Sequence, residues 1–437
     1  MGRILIQGHL NYRLSHAPDF APHPTRPRRR YRQHSGRTGL LTGDSLLAFR
    51  DEFPILARTT YLVSHSLGPM PRAVPARLAE YAEHWGTHGV RAWNFGWWEL
   101  PVTAGNAIAP LIGAADGEVV MLPNVSLAQS VVLSALDYPA DRNEIVMTDL
   151  DFPSVLYAFD ALAPRLGARI TRVASDDGVT IDMDRLLSAI TERTRLVAIS
   201  HVLFRSAFII DAAAVCARAR EVGALVSLDA FHSVGVIPVD VHALGADFLT
   251  GGVLKWLCGG PGGCFLYTSP SVRDTLEPAI TGWQAHARPF AFEPEHDYTS
   301  GPFRWLNGTP VVPALYAAVE GPRIVARAGI EAIRAKSMRQ TARLIELAGQ
   351  RGYRVHAPLD PERRGGTVAV DVPNAYAVAQ ALLERDILVD YRAGAGIRIA
   401  PHFFTHDDEV ETVIAAVDEI LATAAWRKHA GREAVVT

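Results

Sequence analysis

Cysteine is scarce in this chain, with three residues among 437: Cys216, Cys258 and Cys264. So few thiols cannot form the disulfide framework of a small secreted domain, and their spacing matches no metal-binding motif. Long apolar runs are absent too, since no stretch of the sequence approaches the roughly 18 residues that a membrane-spanning helix needs. We therefore expect a cytoplasmic protein without disulfides, metal or membrane span.

A large excess of charge is also lacking, because the formal net charge is only -3. Neither nucleic acid nor a membrane surface is therefore expected as a partner. The charge is uneven, however, since residues 1–41 carry eight arginines and one acid. The Arg26–Arg30 cluster follows no apolar run, which excludes a signal peptide. We predict a disordered leader or an over-long start, with a basic arm as the alternative.

From residue 42 onward, short β-branched runs alternate with stretches of helical periodicity. The predicted strands are Glu144–Thr148, Arg169–Ala174, Arg195–His201, Ala224–Asp229, Ala246–Leu249 and Gly263–Thr268. The helices predicted between them are Ser154–Leu166, Met183–Ile190, for which Asp182 is the N-cap, and Asp211–Glu221. This alternation predicts the α/β fold class, with right-handed crossovers and a mainly parallel sheet covered by helices on both faces.

The pattern changes after Pro310. A long helical region with breaks is predicted over about Pro313–Gly352, followed by a smaller βαβ-type unit. Its predicted elements are Thr367–Val372, Ala375–Arg385, Ile387–Tyr391, Gly396–Ile399 and Asp408–Ala424. We therefore divide the chain into the leader 1–41, a segment 42–64 that joins the small domain, a large domain 65–310 and a C-terminal small domain 311–437.

Two predicted strand ends carry the most informative side chains. Asp229 ends one apolar strand, and Lys255 follows the next, just before the glycine-rich run Gly259–Gly263. An enzyme that uses pyridoxal phosphate (PLP) needs a lysine for the Schiff base and an acid that keeps the pyridine nitrogen protonated. Either residue alone could simply be solvated, but their order and spacing favour this chemistry. Ligands of such sheets bind beyond the carboxyl ends of the strands, where this pair falls.

Four further positions could complete such a site, and each has a plain structural alternative. Ser126 opens a helical pattern and could meet a phosphate, or it could only cap the helix. Phe152 could stack on a cofactor ring or belong to the core. His232 could orient Asp229, contact the cofactor or be purely structural. Arg398 could grip an α-carboxylate in two-pronged fashion or be a surface arginine.

Taken together, these segments resemble kynureninase, within the class V aminotransferase group of fold-type-I PLP enzymes. The resemblance runs from about Tyr61 to Ile420. The motifs that carry it are Tyr61-Leu62 with Ser66-Leu67-Gly68, Arg91-Ala92-Trp93-Asn94 with Gly96-Trp97, Asp151-Phe152-Pro153-Ser154, Asp229 with His232-Ser233-Val234-Gly235, Lys255-Trp256-Leu257 with Gly259-Gly260-Pro261-Gly262, Gly282-Trp283 with His286, Gly308-Thr309, and Gly396-Ile397-Arg398. It implies the fold-type-I PLP-dependent transferase fold, a mainly parallel sheet flanked by helices with a smaller α/β domain.

The resemblance also implies roles for individual residues. Lys255 and Asp229 would be the catalytic pair, one holding the cofactor and the other facing its ring nitrogen. Arg398 would bind the substrate carboxylate, with His65 and Ser66 beside the substrate. The other cofactor contacts would be Val125, Ser126, Phe152, Ser200, His232, Trp283 and Thr309, the last two from a partner subunit. A homodimer with shared active sites and an amino-acid substrate are implied as well.

Several residues expected on the substrate side depart from the family pattern. Kynureninases carry a tyrosine immediately before the lysine, and Leu254 stands there in this chain. Leucine can neither reach the cofactor phosphate nor transfer a proton. The other departures are Ser64-His65 for Gly-Asn, Gln284-Ala285 for Phe-Gly, Phe204-Arg205-Ser206-Ala207 for a polar Tyr-x-Thr-Gly-like stretch, and Val155 for an aspartate. A PLP enzyme with a changed substrate or a changed outcome is the interpretation that accommodates them.

We therefore expect a lyase or hydrolase that deprotonates Cα of an L-amino acid and then cleaves at the β-carbon. The cleavage would be kynureninase-like C–C hydrolysis or β-elimination such as C–S cleavage, in amino-acid or specialised metabolism. A class V aminotransferase or an amino-acid epimerase is the alternative, because both share the first proton abstraction. A PLP-binding regulator is disfavoured, since residues 1–41 are too few for a helix-turn-helix domain. A cysteine desulfurase is disfavoured because no cysteine lies beyond Cys264.

Overall fold

The computed structural model of the chain describes residues 44–431, so the predicted leader 1–41 lies outside the described residues. The strands are β1 Thr60–Tyr61, β2 Val119–Leu122, β3 Glu144–Thr148, β4 Arg169–Val173, β5 Thr194–Ser200, β6 Leu225–Asp229, β7 Phe248–Gly252, β8 Cys264–Thr268, β9 Arg354–Val355, β10 Val368–Asp371, β11 Ile387–Leu388, β12 Asp390–Arg392 and β13 Gly396–Ile399.

The helices lie between these strands and after them. They are α1 Val74–His88, α2 Leu100–Asn106, α3 Val125–Ser134, α4 Pro153–Leu162, α5 Met183–Ala189, α6 Ala212–Glu221, α7 Val241–Leu244, α8 Pro270–Arg273, α9 Val312–Ala318, α10 Glu320–Ala328, α11 Ile330–Gln350, α12 Ala375–Leu383 and α13 Asp407–Ala422. Short 3₁₀ segments occur at Ser45–Glu52, Pro54–Ala57, Gly89–Phe95, Ala109–Leu111, Ala163–Leu166, Trp283–Ala285, Pro302–Trp305, Pro361–Arg363 and Ala425–His429.

A seven-stranded sheet in the order β2-β8-β7-β6-β5-β3-β4 forms the centre of the protein. The five strands from β4 to β7 in this order run parallel, and β8 is antiparallel to both of its neighbours. Along β3, Ile145 and Met147 pack into one apolar cluster and Val146 into another. The sheet is therefore buried on both faces, and the predicted α/β class is confirmed.

Two strands of this sheet differ from the sequence prediction. The prediction missed β2, which is a fully buried run of only four residues. It also placed β7 over Ala246–Leu249, whereas the strand spans Phe248–Gly252. Glycine is a poor strand residue, which hid this end of β7. Close packing requires glycine at position 252, because a Cβ at Gly252 would lie 2.1 Å from the Phe231 ring.

The helices of this part agree well with the prediction. The predicted helix Ser154–Leu166 is α4 continued by a 3₁₀ turn. Asp182 caps α5 as expected, since its side chain accepts a hydrogen bond from Arg185 N. The long helical region after Pro310 is broken into α9, α10 and α11, with Gly329 in the left-handed region at the last break.

The second sheet, β12-β13-β10-β9, is antiparallel throughout, which corrects the predicted βαβ-type unit. Along the chain, β10 precedes α12 and β12 follows it, and the two strands run in the same direction. In the sheet, however, β13 lies between β10 and β12. Residues 393–395 are too few for a crossover, so β12 and β13 can only form a hairpin. The predicted strand Ile387–Tyr391 is divided, because β11 leaves this sheet and pairs in parallel with β1.

Residues 44–64 pack against the C-terminal part of the chain. Beyond the β1–β11 pair, Val63 forms a bridge with Ala400. Arg50 holds the two carboxylate oxygens of Glu409 at 2.9 and 2.7 Å. These contacts agree with the assignment of segment 42–64 to the small domain, although the domain boundaries themselves stay a prediction. Within the described part of the chain, every helix is too short or too polar to cross a bilayer.

Replacement of Gly68 by alanine should destabilise the fold. Gly68 N donates to Leu254 O at 2.7 Å, and an added Cβ would lie 2.2 Å from Lys255 O and 2.8 Å from Cys258 Cα. Since backbone must move to make room, we expect Gly68→Ala to cost about 1–3 kcal/mol of unfolding free energy. The measurement is denaturant unfolding followed by circular dichroism.

The matched control is Gly86→Ala on exposed α1, where a Cβ meets nothing within 4 Å. That change should raise stability by up to about 1 kcal/mol, because alanine favours helix. Equal stability of the two variants would contradict the close approach at Gly68.

Candidate active site

A cavity of about 340 Å³ opens beyond the carboxyl ends of β3, β5, β6 and β7. It is the place at which ligands bind in open parallel sheets. The residues that line it are His65, Ser66, Pro123, Asn124, Val125, Phe152, Ser200, Val202, Phe204, Asp229, Phe231, His232, Leu254, Lys255, Gly262, Gly263, Cys264, Arg392 and Arg398. Most of the residues predicted for the site from the sequence are therefore brought together.

Three predicted residues do not line this cavity. Ser126 follows Val125 in the first turn of α3, just behind the wall. Trp283 packs instead against the ring of Trp98, at 4.8 Å between centroids. Thr309 is an exposed residue of the loop before α9. In a single chain, the last two are thus separated from Lys255.

Lys255 lies at the centre of the cavity wall. Its Nζ is 2.8 Å from Nε2 of His232 and faces the rings of Phe152 and Phe231, at 5.3 and 5.0 Å from their centroids. Burial lowers the pKa of the Lys255 amine to about 7, and Arg398 adds to this effect while Asp229 opposes it. The amine is therefore available as a neutral nucleophile or base near neutral pH.

His232 lies at hydrogen-bond distance from Lys255 rather than from Asp229. Burial, with the charges of Lys255 and Arg398, lowers the pKa of His232 well below its ordinary value, so the ring is neutral. Its Nε2 lies at hydrogen-bond distance from the Lys255 amine. No hydrogen bond joins His232 to Asp229 among the contacts of residues 44–431, so this structure gives no support to the alternative in which His232 orients Asp229.

Asp229 ends β6 and lines the cavity with its carboxyl group. One oxygen, Oδ1, accepts a hydrogen bond from Phe231 N at 2.9 Å. Burial raises the pKa of Asp229 to about 6, although Phe231 N and Lys255 favour the charged form. A cation placed at this carboxylate would be strongly stabilised, and it would in turn keep the carboxylate ionised.

The N-terminus of α3 forms another wall of the cavity. Asn124 is the N-cap, and its side chain accepts from Leu127 N at 3.0 Å. The alternative in which Ser126 caps this helix is therefore wrong. The first N–H groups of a helix have no acceptor within it, so those of Val125 and Ser126 suit an anion.

Asp151 is a buried carboxylate that sequence reasoning quoted but assigned no role. Its Oδ2 accepts from Thr148 N at 2.7 Å and its Oδ1 from Ser200 N at 2.6 Å. These bonds tie the end of β3 to the end of β5. They also position Phe152, which is half-buried, belongs to none of the apolar clusters and meets Phe204 edge-on at 5.2 Å. The core alternative for Phe152 is therefore excluded.

Arg398 is buried, so the surface alternative is wrong. Its Nε and Nη2 donate to Oδ1 and Oδ2 of Asp390 at 2.8 and 2.5 Å, and its Nη1 donates to Phe204 O at 2.7 Å. Nε2 of His65 lies 2.9 Å from the same Asp390 Oδ1. Three of the five N–H groups of this guanidinium are thus paired inside the protein, and Arg398 still lines the cavity.

Arg392 is the main cavity residue that sequence reasoning missed. Asp390 and Arg392 alternate along a short strand, and this period of two places both on one face. The signal was present in the sequence, but the predicted strand ended at Tyr391 and left Arg392 in a loop.

The walls of the cavity fit pyridoxal phosphate. Asp229 supplies a carboxylate for a protonated ring nitrogen, Phe152 an aromatic face, Lys255 an amine for the aldehyde, and the α3 N-terminus donors for a phosphate. The Asp229 carboxylate is the most specific of these features, because it is buried, lines the cavity and forms no salt bridge with any of residues 44–431.

Comparison with known proteins identifies relatives over most of the chain. A family model described as aminotransferase class-V matches residues 60–406. A kynureninase of Pseudomonas fluorescens is 35% identical over 396 residues, which cover 88% of this chain and 94% of that protein. A kynureninase of Burkholderia pseudomallei strain 1106a is 32% identical over 398 residues, which cover 88% of this chain and 94% of that protein.

Solved structures share the fold at lower identity. The apo cysteine desulfurase of Thermococcus onnurineus NA1 aligns with a TM-score of 0.75 at 23% identity, covering 86% of this chain and 98% of that chain. A C-DES variant with glycine covalently linked to its PLP cofactor aligns with a TM-score of 0.77 at 22% identity, covering 84% and 98%. At these identities the likeness concerns the fold alone.

The cofactor-free protein should take up pyridoxal phosphate with a pH dependence set by Lys255. Its pKa is lowered to about 7 by burial, so the neutral amine increases as the pH rises through 7. The uptake rate, followed by visible absorbance, should rise about tenfold per pH unit below 7 and level off above it. Nα-acetyl-lysine is the control, whose rate should keep rising to about pH 10. A protein rate that also climbs to that pH would contradict the lowered pKa.

Proposed function

Because the chain belongs to the aminotransferase class-V family, among its kynureninase-like members, we propose that it cleaves an L-amino acid at the β-carbon. The cleavage is C–C hydrolysis, as in kynureninase, or β-elimination such as C–S cleavage. The cofactor is pyridoxal phosphate, as the sequence predicted. The observation that carries the proposal is the single cavity in which Lys255, Asp229, His232 and Arg398 converge.

When bound, the cofactor supplies an electron sink for the electrons released at Cα. Lys255 is the base that removes the Cα proton, because its lowered pKa matches neutral pH. His232 holds the amine at 2.8 Å and limits its rotation. Asp229 would keep the ring nitrogen protonated, and Phe152, Phe204 and Phe231 give the cavity apolar walls.

Leu254 is the residue that most affects which reaction follows the removal of the Cα proton. It lines the cavity beside Lys255 with an apolar side chain, and its carbonyl accepts from Gly68 N. A hydroxyl that could protonate a leaving carbon is thus missing from this position. This observation favours a second candidate, an aminotransferase or epimerase, since neither reaction has to protonate a leaving carbon. Lys255 alone can move the proton that transamination requires, whereas epimerisation also needs an acid on the opposite face of Cα.

A product screen separates these reactions. The PLP-loaded protein is incubated with kynurenine, 3-hydroxykynurenine, S-substituted cysteines and common amino acids, and products are identified by mass spectrometry. Anthranilate-type products indicate C–C hydrolysis, and pyruvate with ammonia indicates β-elimination. Accumulation of pyridoxamine phosphate or of the D-enantiomer would overturn the proposal in favour of the second candidate. Lys255→Ala should abolish every product.

Leu254→Tyr should raise cleavage of kynurenine. The new hydroxyl would lie beside Lys255 as an acid for the leaving carbon, and such groups contribute about 100-fold or more when well placed. Imperfect geometry makes about tenfold the expected gain in kcat/KM. Leu254→Phe is the matched control, because it adds the ring without the hydroxyl. Equal rates in the two variants would show that Leu254 does not set the outcome.

A homodimer with shared active sites is part of the proposal. Trp283 and Thr309, which the family resemblance places at the phosphate, are separated from Lys255 within one chain. An apolar groove of about 610 Å³ runs between the glycine-rich turn and α1, and Leu67, Met70 and Leu78 along it are exposed. Exposed apolar patches of this kind mark contact surfaces. We assign this groove to a second copy of the chain.

Met70→Glu should therefore increase the monomer fraction in sedimentation equilibrium. The same variant should release pyridoxal phosphate more readily, by about tenfold or more, because Trp283 and Thr309 of the second copy withdraw. Tyr157→Glu is the control, since Tyr157 is exposed on α4, away from the groove. A wild-type protein that sediments as a PLP-loaded monomer would contradict the shared site.

A further inference from the structure

One wall of the cavity is built from charged residues on the hairpin β12–β13. Asp390 stands directly opposite Arg398 in the register, and Arg392 lies two residues farther along β12. The period of two places all three side chains on one face. The residues between them, Tyr391 and Ile397, pack into the apolar cluster on the other face. The hairpin therefore presents two guanidinium groups to the cavity, and both are paired with the fully buried carboxylate of Asp390.

Arg398 and Arg392 differ in how fully their N–H groups are hydrogen-bonded within the protein. Arg398 is 2% exposed, and Asp390 and Phe204 O take three of its N–H groups. The side chain of Arg392 is 25% exposed. Its Nη1 donates to Tyr391 O at 2.8 Å, and its Nη2 lies 3.1 Å from Asp390 Oδ2. Arg392 is thus the more accessible cation of the cavity wall.

Both cations act on the reacting amine. The charges of Arg398 and Arg392 each contribute to the lowered pKa of Lys255, after burial as the main cause. A substrate carboxylate next to Lys255 therefore lies within the field of both arginines. The charge of Arg205 also contributes to the lowered pKa of Arg398. Arg205 is exposed, however, and stacks on the ring of Phe204.

The charges of this wall sum to one positive unit. Against the effect of burial, the hydrogen bonds from His65 and Arg398 hold the pKa of Asp390 well below its usual range, so it is ionised. Burial lowers the pKa of His65 to about 4, which leaves it neutral. Two guanidinium groups and one carboxylate remain, and they balance a single substrate carboxylate.

We propose that Arg392 binds the substrate α-carboxylate together with Arg398, and that Asp390 restricts the site to amino acids with one carboxylate. The remaining walls, formed by Phe152, Phe204 and Phe231, suit an uncharged apolar or aromatic side chain. This inference rests on the proposed function, since it concerns the substrate of the same site. It names a second carboxylate-binding residue and a residue that determines specificity.

Binding is measured with the full-length, PLP-loaded protein through changes in the cofactor's visible spectrum. The probes are L-kynurenine, L-phenylalanine and L-aspartate. We expect the wild type to prefer the two neutral amino acids. Arg392→Gln should weaken their binding by about tenfold or more, because a charged hydrogen bond is lost. Arg392→Lys should fall between, since it keeps the charge but not the fork.

Asp390→Asn distinguishes a role in substrate specificity from a purely structural role. Removal of its negative charge leaves two positive charges, so the preference should move toward L-aspartate by about tenfold. Arg354→Gln is the matched control, because Arg354 is an exposed arginine of the same sheet outside the cavity. Circular dichroism establishes that each variant is folded.

Unchanged dissociation constants in folded Arg392→Gln, or an unchanged preference in Asp390→Asn, would overturn the inference. So would a wild type whose spectrum responds equally to aspartate and phenylalanine. The spectral change reports binding whether or not a bond is cleaved. A wild type that binds neutral amino acids through Arg392 but yields only keto acids would therefore refute the proposed function and leave this inference standing.

Discussion

The burial of the Lys255 amine is the constraint on which the active site depends. A lysine taken out of water loses its solvation, and no carboxylate among residues 44–431 forms a salt bridge with Lys255 in return. The partner at hydrogen-bond distance is neutral His232, and the remaining contacts are aromatic faces. The pKa consequently falls to about 7, and the amine becomes a reactive group. The same burial raises the pKa of Asp229, so the two groups are poised for a cofactor placed between them.

Rigid surroundings hold this unfavourable arrangement in place. Lys255 and Asp229 follow neighbouring strands of a sheet that is covered on both faces, and Asp151 ties the next strand ends together with two backbone hydrogen bonds. Gly68 fits directly against the backbone of the Lys255 loop. The free energy for burying the reactive groups thus comes from packing in the sheet and its helices, which lies far from the chemistry.

The substrate side of the cavity is organised differently. His65 replaces a family asparagine and pairs with Asp390, which in turn holds Arg398. His65 is therefore connected by hydrogen bonds, through Asp390, to Arg398, the residue expected to bind the substrate carboxylate. Leu254 is a second departure at the same cavity. By the resemblance to kynureninase, the residues expected on the cofactor side are mostly kept and several expected on the substrate side differ, which agrees with the proposal of a shared first proton transfer.

The sequence by itself determined the fold class, the family and the cofactor, because strand alternation, the Asp229–Lys255 spacing and the motifs that resemble kynureninase are local signals that survive without contacts. Most of the residues that it predicted for the site line the cavity, although they are fewer than half of the residues that form its walls. It could not assign the strand order of the second sheet, since this four-strand antiparallel sheet depends on pairing between distant segments. For the same reason the engagement of Arg398 by Asp390 and the exposure of Arg392 were decided only in the tertiary structure. Which partner a charge meets, and how far it is removed from water, is set by packing in three dimensions.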